Sequence, residues 1–442
     1  MNSYHLSQFP ARCGLEKGAV SYLHWSFSAF ENIAMASASI FSGYVVLLLS
    51  ALAIAAPRPI PKSRHSQSEN TSSCRCFPGD SCWPTTAEWN QFNGTLGGKL
   101  IATIPIASSC HYDSYASYNA GQCAQLQSVW GFPQTHYESS SSVMAPFFAN
   151  RSCDPFTPPS AQCVIGTYVQ YAVNASSTSD YQKTIAFAQK NNIRIVIRNT
   201  GHDYFGKSTG AGALGIWTHN VKDIQVINYS SSNYIGNAIK VGAGVQNFEA
   251  QAVAHAHGLT VVGGNCPTVG FAGGYTQGGG HGPLVSKYGL AADQVLEWEV
   301  VTGTGELLTA TPSQNSDLYW ALCGGGGGTF GVVLSMTSKA HSDMQVAAAN
   351  LTFTNVGVSQ DTFYNAIQTF LVNLPAIVDA GAVSIWLLMN TTFLMQPTTA
   401  PGLTTAQLQD LLNPTLAQLN KSGMPYGESG AFNPPRTPAF LT

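Results

Sequence analysis

The chain has 442 residues, enough for two or three domains with hydrophobic cores. Charged residues make up only 9% of the chain, against roughly 25% in average soluble proteins. The formal net charge of -3 gives no basis for binding nucleic acid or an anionic membrane surface.

Two features near the N-terminus and along the chain predict secretion. The apolar run Tyr44–Ala56 ends in small residues and is typical of a signal peptide cleaved near Ala56, with Met35 as a second candidate start. A membrane anchor over residues 33–56 is the alternative. The chain has eight candidate N-glycosylation sequons, at Asn70, Asn93, Asn150, Asn174, Asn228, Asn350, Asn390 and Asn420. Glycans at such sites solubilise a chain without adding charge. We therefore expect an extracellular glycoprotein from which residues 1–56 are removed and which keeps no stable membrane anchor.

The cysteines also favour an oxidising compartment. There are ten, of which Cys13 precedes the predicted signal peptide, which leaves nine. Seven of the nine cluster between Cys74 and Cys163, which predicts a disulfide-stapled segment. The odd total leaves at least one sulfur without an intrachain partner, and Cys266 is the candidate because it lies alone in a glycine-rich loop. Cys323 could be a free thiol or a partner of the stapled segment.

The first part of the mature chain is poor in regular patterns. Residues 57–72 have the polar composition of a disordered leader. Up to residue 160, short apolar pieces then alternate with Pro, Ser and Cys. The interpretation is a compact but irregular Cys-rich cap segment over residues 57–160.

From residue 161 to residue 341, strand-like and helix-like patterns alternate. The predicted strands are Val164–Val173, Ile193–Ile197, Leu214–Trp217, Ile239–Val241, Leu259–Val262, Val295–Val301, Leu307–Thr309 and Val332–Met336, and the predicted helices are Ser179–Asn191 and Phe248–His257. The Gly303–Gly305 turn predicts a hairpin between two of these strands. Beyond His341 a second domain is expected over residues 342–442, with helices at Thr362–Val372 and Thr404–Leu419. The expected fold class is α+β.

Two glycine-bearing loops are the strongest functional signal. Glycine at the density of Gly263–Asp293 lets the backbone approach a flat or bulky ligand, and we expect little regular helix there. The other loop, Arg198–Asp203, directly follows the predicted strand Ile193–Ile197. One loop offers His202 and the other offers Cys266.

A nucleotide triphosphatase is one alternative, because Gly201–Ser208 fits the P-loop pattern. A P-loop must continue into a helix whose N-terminus faces the phosphates. The segment Thr209–Gly215 is a poor helix former, so the context disfavours this alternative.

A metal site is the second alternative. Its candidate ligands are His202, Asp203, His219, His255, His257 and His281. Their spacings do not form a tight ligand pattern, and His255 and His257, two apart on a predicted helix, point in different directions. We therefore predict no metal.

Three motifs together resemble the vanillyl-alcohol-oxidase type of flavoproteins, in particular its berberine-bridge-enzyme branch. RNTGHDYFGKS is similar to the family's pyrophosphate loop, whose histidine bonds the flavin 8α-methyl and corresponds to His202. CPTVGFAGGYTQGGGHG is similar to the second flavin segment, whose cysteine bonds flavin C6 and corresponds to Cys266. DLYWALCGGGGGTFGVV is similar to the third, with Gly324–Gly328 under the cofactor. The cap segment and the run at residues 137–142 most resemble the fungal isoamyl-alcohol-oxidase-like group.

The resemblance implies a PCMH-type FAD-binding domain of two α/β subdomains over residues 161–341, followed by an incomplete antiparallel-sheet substrate domain. It implies FAD held covalently by His202 and Cys266, hydride transfer from an alcohol or sugar hydroxyl, and reoxidation by O2. The implied cofactor-binding residues are Arg198, Asn199, Thr200, Gly201, His202, Asp203, Ser208, Cys266, Pro267, Thr268, Gly270, Gly273, Gly274, Gly278, Gly279, Gly280, His281 and Val332. From the residues alone, Cys266 as an ordinary free or disulfide-bonded cysteine and His202 as a hydrogen-bonded loop histidine stay open, and a structural role for His281 is as well supported as a cofactor contact.

One departure from the family concerns the C-terminus. Family members continue into a segment that returns to the flavin domain and carries catalytic residues, and this sequence has no match to it, so no catalytic base is named and a truncated chain is expected. The alternatives to an oxidase are a non-catalytic flavoprotein remnant and an oxidative cyclase or dehydrogenase of secondary metabolism. Alcohol, sugar and alkaloid-like substrates are not distinguished by the residues.

Overall fold

The structure is a computed structural model that describes residues 74–112 and 115–433. The predictions made for the signal peptide, Cys13, Met35 and Asn70 lie outside the described residues.

The cap segment contains more regular structure than its composition suggests. It has α1 (Thr86–Thr95), β1 (Leu100–Ala102), α2 (Ala120–Val129) and α3 (Pro133–Tyr137). The expectation of an irregular segment is wrong in part, because α1 begins at a capping box in which the side chains of Thr85 and Glu88 accept each other's backbone N–H groups. The predicted stapling is present as Cys76–Cys82, Cys110–Cys123 and Cys153–Cys163.

The first sheet carries the predicted strand–helix–strand unit. Its elements are β2 (Tyr171–Asn174), α4 (Thr178–Lys190), β3 (Arg194–Arg198) and β4 (Ala213–Trp217), and the strand order is β1-β2-β4-β3. Strand β4 runs parallel to both β2 and β3, and β1 is antiparallel to β2. The strand predicted at Val164–Val173 begins only at Tyr171. The preceding residues form a turn in which Tyr168 N–H donates to Ile165 C=O, with Gly166 at a φ of 55°.

The second sheet is antiparallel and holds the largest core. Its region contains β5 (Ile224–Ser230), β6 (Ile235–Gly242), α5 (Asn247–Ala256), β7 (Leu259–Thr260), α6 (Val285–Tyr288), β8 (Val295–Val301), β9 (Leu307–Ala310), α7 (Ser316–Leu322), β10 (Val332–Lys339) and β11 (His341–Ser342). The strand order is β5-β6-β10-β8-β9, with β7 paired to β11, and the predicted β8–β9 hairpin is confirmed. Buried Trp298 and Phe271 lie in the core of this subdomain. In the glycine-rich stretch, a π-turn at Phe271–Tyr275 and the single turn of α6 are the regular pieces.

A third layer has its own core. Its elements are β12 (Val346–Thr354), α8 (Gln360–Asp379), β13 (Val383–Leu388), β14 (Thr392–Pro401), α9 (Thr405–Lys421) and β15 (Tyr426–Asn433). The antiparallel strand order is β13-β14-β12-β15, and α8 and α9 pack together beside the sheet. Phe353, Phe370 and Phe393 are buried between helices and sheet. The fold is thus α+β, as predicted, and among the described residues no helix is both long and apolar enough to cross a membrane.

Candidate functional site

The three glycine-bearing segments converge in the structure. The carbonyl of buried Gln277 accepts the backbone N–H groups of Gly324 and Gly326 at 3.0 and 2.8 Å. A Cβ at Gly327 would lie 2.8 Å from the Cα of Gly274. The backbone of the third segment therefore lies directly on the second, at a distance that only glycine permits.

The first and second segments are joined through Asn199. Its Nδ2 donates to the carbonyl of Ala243 at 2.5 Å. A Cβ at Gly270 would lie 2.7 Å from Asn199 Cγ, and a Cβ at Gly273 would lie 2.7 Å from Asn199 Nδ2. The Asn199 side chain therefore fills the space that a Cβ would need at either position, which explains why both residues are glycine.

The structure brings His202 and Cys266 to the same hydroxyl group. His202 Nε2 lies 2.9 Å from Thr268 Oγ1, and Cys266 Sγ lies 3.5 Å from the same oxygen. Thr268 is buried, while His202 and Cys266 are each half-buried. Cys266 is a free cysteine, so the disulfide alternative for it is wrong.

The beginning of α5 holds the turn that carries Cys266 and Thr268. Four hydrogen bonds of 2.7 to 3.2 Å connect the helix start to carbonyls of the turn Cys266–Val269. Two come from the backbone N–H groups of Asn247 and Phe248, and two come from the side-chain amides of Gln246 and Asn247. First-turn N–H groups of a helix have no partner within the helix, so this turn satisfies them. The motif search from sequence missed Gln246 and Asn247, because the pattern of the glycine stretch does not reveal which helix contacts it.

The loop after β3 is organised by a carboxylate. Asp203 accepts the backbone N–H groups of Phe205, Lys207 and Ser208 at 3.3, 2.7 and 3.2 Å. By contrast, the N–H groups of residues 201–204 and 206 donate no hydrogen bond among the described residues. Unpaired backbone N–H groups in a turn form an anion-binding concavity. The loop leads into strand β4 and not into a helix, so it lacks the context that a P-loop needs.

A buried guanidinium lies beneath this loop. Arg198 is 2% exposed, and its Nη2 donates to the carbonyl of His136 at 2.7 Å. Its Nε and Nη1 have no hydrogen-bond partner in the described part of the chain, and a Cβ at Gly201 would lie 3.1 Å from the guanidinium. Burial lowers the pKa of Arg198 to about 10, an effect that the nearby Asp203 opposes. Arg198 therefore stays positively charged at neutral pH and favours an anion at the loop.

His202 is neutral at neutral pH. Burial, with a smaller effect from neighbouring His136, lowers the pKa of His202 to about 4. His136 belongs to the cap segment, where its ring nitrogens bond Ser142 Oγ and the carbonyl of Trp130. A second cap contact is Met144 N–H to the carbonyl of Gly201 at 3.4 Å. The cap segment thus forms part of the surroundings of His202.

The other predicted site residues differ in placement. Thr200 is buried, Ser208 is half-buried, and Pro267 and His281 are exposed. Gly278, Gly279 and Gly280 continue the second glycine segment, with Gly279 and Gly280 at φ values of 106° and 72°. Val332 pairs with Val301 in the sheet and lies in a hydrophobic core against which Ile197, near the first loop, also packs.

Cys323 is a free thiol away from the cap segment. The indole N–H of Trp298 donates to its sulfur at 3.4 Å, and burial raises the pKa of the thiol. The alternative of a disulfide between Cys323 and the cap segment is therefore wrong.

Comparison with known proteins identifies the class. A family model described as an FAD binding domain matches residues 169–311. The chain is 54% identical over 376 residues to FAD-linked oxidoreductase sor8 of Hypocrea jecorina, covering 85% of this chain and 65% of sor8. It is 50% identical over 300 residues to FAD-linked oxidoreductase sthB of Phaeosphaeria nodorum, covering 68% of this chain and 94% of sthB.

Among solved structures, the VAO-type flavoprotein MtVAO615 from Myceliophthora thermophila superposes with a TM-score of 0.78 at 47% identity, covering 82% of this chain and 66% of that one. The chain belongs to the VAO-type family of FAD-linked oxidoreductases. The family resemblance and the PCMH-type FAD-binding fold are thereby confirmed. The chain spans 65% of the length of sor8.

Proposed function

We propose that this chain belongs to a secreted FAD-dependent oxidase that attaches its flavin through both His202 and Cys266. The observation that carries the proposal is the shared contact of both side chains with Thr268 Oγ1, at 2.9 and 3.5 Å. A histidine and a free thiol so close together, in a fold that binds FAD, can both reach one flat ring system.

The residues fit FAD. A Cβ added at Gly274 or at Gly324 would enter open space, because it would meet no heavy atom within 4 Å. Both glycines are exposed. This exposed glycine surface, with the unpaired N–H groups at residues 201–204, is suited to a flat ring and a pyrophosphate. The buried positive charge of Arg198 beneath the loop would stabilise the negatively charged pyrophosphate.

The protein's own groups prepare the attachment. Neutral His202 has a lone pair to donate, and Nδ1 is the nitrogen without a hydrogen-bond partner among the described residues, since Nε2 faces Thr268. We therefore assign attachment to Nδ1. Bound FAD would supply the oxidising chemistry, in which the carbon bearing an alcohol or sugar hydroxyl would lose a hydride, the hydroxyl would lose a proton, and the two electrons would pass to O2. The protein's role is to orient the ring and to keep its phosphates in place.

Denaturation tests this proposal directly. Acid precipitation of the purified protein should leave the yellow colour in the pellet. A peptide mass map should then find FAD on the peptide containing His202 and on the peptide containing Cys266. A colourless pellet would disprove covalent attachment, and FAD on one peptide alone would reduce the proposal to a single link.

Secretion is proposed on separate grounds. The disulfides of the cap segment are typical of oxidising compartments. Among the sequons that the structure describes, four asparagines are exposed and thus accessible to glycosylation: Asn150, Asn228, Asn390 and Asn420. Expression in a fungal host should give a glycosylated product in the medium that starts near Ala56 or Pro57. An intact mass that retains Met1 or shows no glycan would contradict this.

A further inference from the structure

Thr268 is placed so that one hydroxyl group touches both proposed attachment residues. Its Oγ1 lies 2.9 Å from His202 Nε2 and 3.5 Å from Cys266 Sγ. The side chain is 8% exposed, and its backbone carbonyl accepts the side-chain amide of Gln246 at 2.7 Å. The hydroxyl oxygen is therefore held in place by the turn, while its hydrogen remains free to rotate.

A hydroxyl has one hydrogen to donate, and two arrangements connect the three groups with that hydrogen taking part. In the first, His202 Nε2–H donates to Oγ1, and the hydroxyl hydrogen points to Cys266 Sγ. In the second, the hydroxyl donates to Nε2, the Cys266 thiol donates to Oγ1, and the imidazole hydrogen moves to Nδ1. The two arrangements differ in which nitrogen of His202 holds the imidazole hydrogen. They also differ in whether Cys266 Sγ accepts or donates the hydrogen bond with Thr268.

The surroundings favour the first arrangement. The second would place an N–H at half-buried His202 Nδ1, where the described residues provide no acceptor and only solvent could accept the hydrogen bond. The first leaves the Nδ1 lone pair unoccupied and lets the sulfur of Cys266 accept a hydrogen bond. Burial, with a smaller effect from nearby His136, lowers the pKa of His202, so the imidazole has a single hydrogen to place.

We propose that Thr268 is a positioning residue that makes His202 and Cys266 nucleophilic together, through one hydroxyl hydrogen. The imidazole hydrogen sits on Nε2 and leaves Nδ1 free, and the hydroxyl hydrogen stabilises negative charge on Cys266 Sγ. The inference rests on the proposed function in that both residues are taken as attachment sites. The hydrogen-bond arrangement itself belongs to the protein without FAD.

The test measures the reactivity of Cys266 in the FAD-free chain, produced in a riboflavin-depleted host. Iodoacetamide labelling over time is read by peptide mass, separately for Cys266 and for Cys323, the second free thiol among the described residues. Thr268→Val should label Cys266 about five-fold more slowly, which corresponds to about 1 kcal/mol, the worth of one hydrogen bond. Thr268→Ser keeps the hydroxyl and should restore the rate. Labelling of Cys323 should not change in either variant.

Thr276→Val is the matched control. Thr276 is also buried in the glycine-rich stretch and donates to the carbonyl of Phe271 at 2.6 Å. Its hydroxyl hydrogen-bonds to Phe271 and not to His202 or Cys266, so its replacement should leave Cys266 labelling unchanged. Thr268→Ala is measured in parallel as a second residue without a hydroxyl, in case the valine variant fails to fold.

A double-mutant cycle separates coupling from a merely structural role. His202→Ala removes the donor that orients the hydroxyl, so it should slow Cys266 labelling in the wild-type background. In the Thr268→Val background, His202→Ala should have no further effect. An unchanged Cys266 rate in both Thr268→Val and Thr268→Ala, or a His202→Ala effect of full size without the hydroxyl, would overturn the proposal. Because no FAD is present, these results are independent of whether the loaded wild-type protein attaches its flavin.

Discussion

Asn199 occupies the space into which any side chain at position 270 would project. A Cβ at Gly270 would lie 2.7 Å from Asn199 Cγ, within the distance at which atoms must move apart. Asn199 is held there by its bond to the carbonyl of Ala243. The asparagine of the first loop and the glycine of the second are therefore a matched pair that fixes the relative position of the two motifs.

The first prediction follows from this pair. Gly270→Ala should lower the free energy of unfolding of the FAD-free chain by about 2 kcal/mol, because the added methyl group overpacks the site. Gly274→Ala is the control, since its Cβ would have no neighbour within 4 Å and should change stability by less than about 0.5 kcal/mol. Urea unfolding of the two variants measures the difference. Equal stability of both would show that Asn199 moves aside freely.

The same Gly274→Ala variant should retain less FAD than the wild type. Its methyl group would enter the open space that we assign to the cofactor. Cofactor content per chain, read from the flavin absorbance of the purified protein, measures the loss.

Much of the fold could be predicted from local sequence patterns. The apolar run Val295–Val301 and the Gly303–Gly305 turn predicted the hairpin correctly. Strand β5 was missed, because its side chains are half-buried or exposed and alternate without a clear apolar face. Helix α8 continues past Pro375 to Asp379, although proline disfavours a helix interior. Buried Ile377 anchors that last turn in the third core.

The site could be predicted only in part. His202 and Cys266 were found because each lies in a local motif. Their contacts with Thr268 could not be found, because these contacts depend on how two loops far apart in sequence are folded together. The buried position of Arg198 over the carbonyl of His136 depends in the same way on the cap segment.

Lys207 provides a test against the P-loop alternative. Its Nζ donates to Thr329 Oγ1 at 2.9 Å and to the carbonyl of Gly327 at 3.4 Å, so it already bridges two loops. Because backbone N–H groups are proposed to hold the pyrophosphate, Lys207→Ala should leave FAD content nearly unchanged. Its effect on stability should be less than about 1 kcal/mol, since the side chain is exposed. Tight ATP binding that disappears in the variant would contradict this view.

His219 should make stability depend on pH. Burial, with nearby Lys222 and Arg198, lowers the pKa of His219 to about 4, below its ordinary value of 6.5. The unfolded chain therefore takes up this proton first, and stability should be constant above about pH 6.5 and fall as the pH decreases toward 4. His219→Phe should reduce that slope by up to about 1.4 kcal/mol per pH unit, the value for one proton.

Urea unfolding of the FAD-free chain between neutral pH and pH 5 measures the slope. Phenylalanine is chosen because the His219 ring lies against Trp217 and Tyr137, at 6.0 and 5.1 Å between centroids. The FAD-free chain is needed because flavin attachment would change the titration of His202. A slope that is the same in both proteins would show that His219 takes up its proton over the same pH range in the folded and the unfolded chain.

The last prediction concerns the two attachment residues. If each holds the flavin, either His202→Ala or Cys266→Ala should leave FAD covalently bound through the remaining residue, and only the double variant should release it on denaturation. Cys323→Ala is the control, because its thiol accepts the indole N–H of Trp298 on the core of the second sheet and should not affect attachment. Each single variant should also have a lower flavin reduction potential, since one electron-withdrawing bond is lost. Yellow precipitate from the double variant would identify a third attachment residue, and complete release by one single variant would show that the other residue does not bond the flavin.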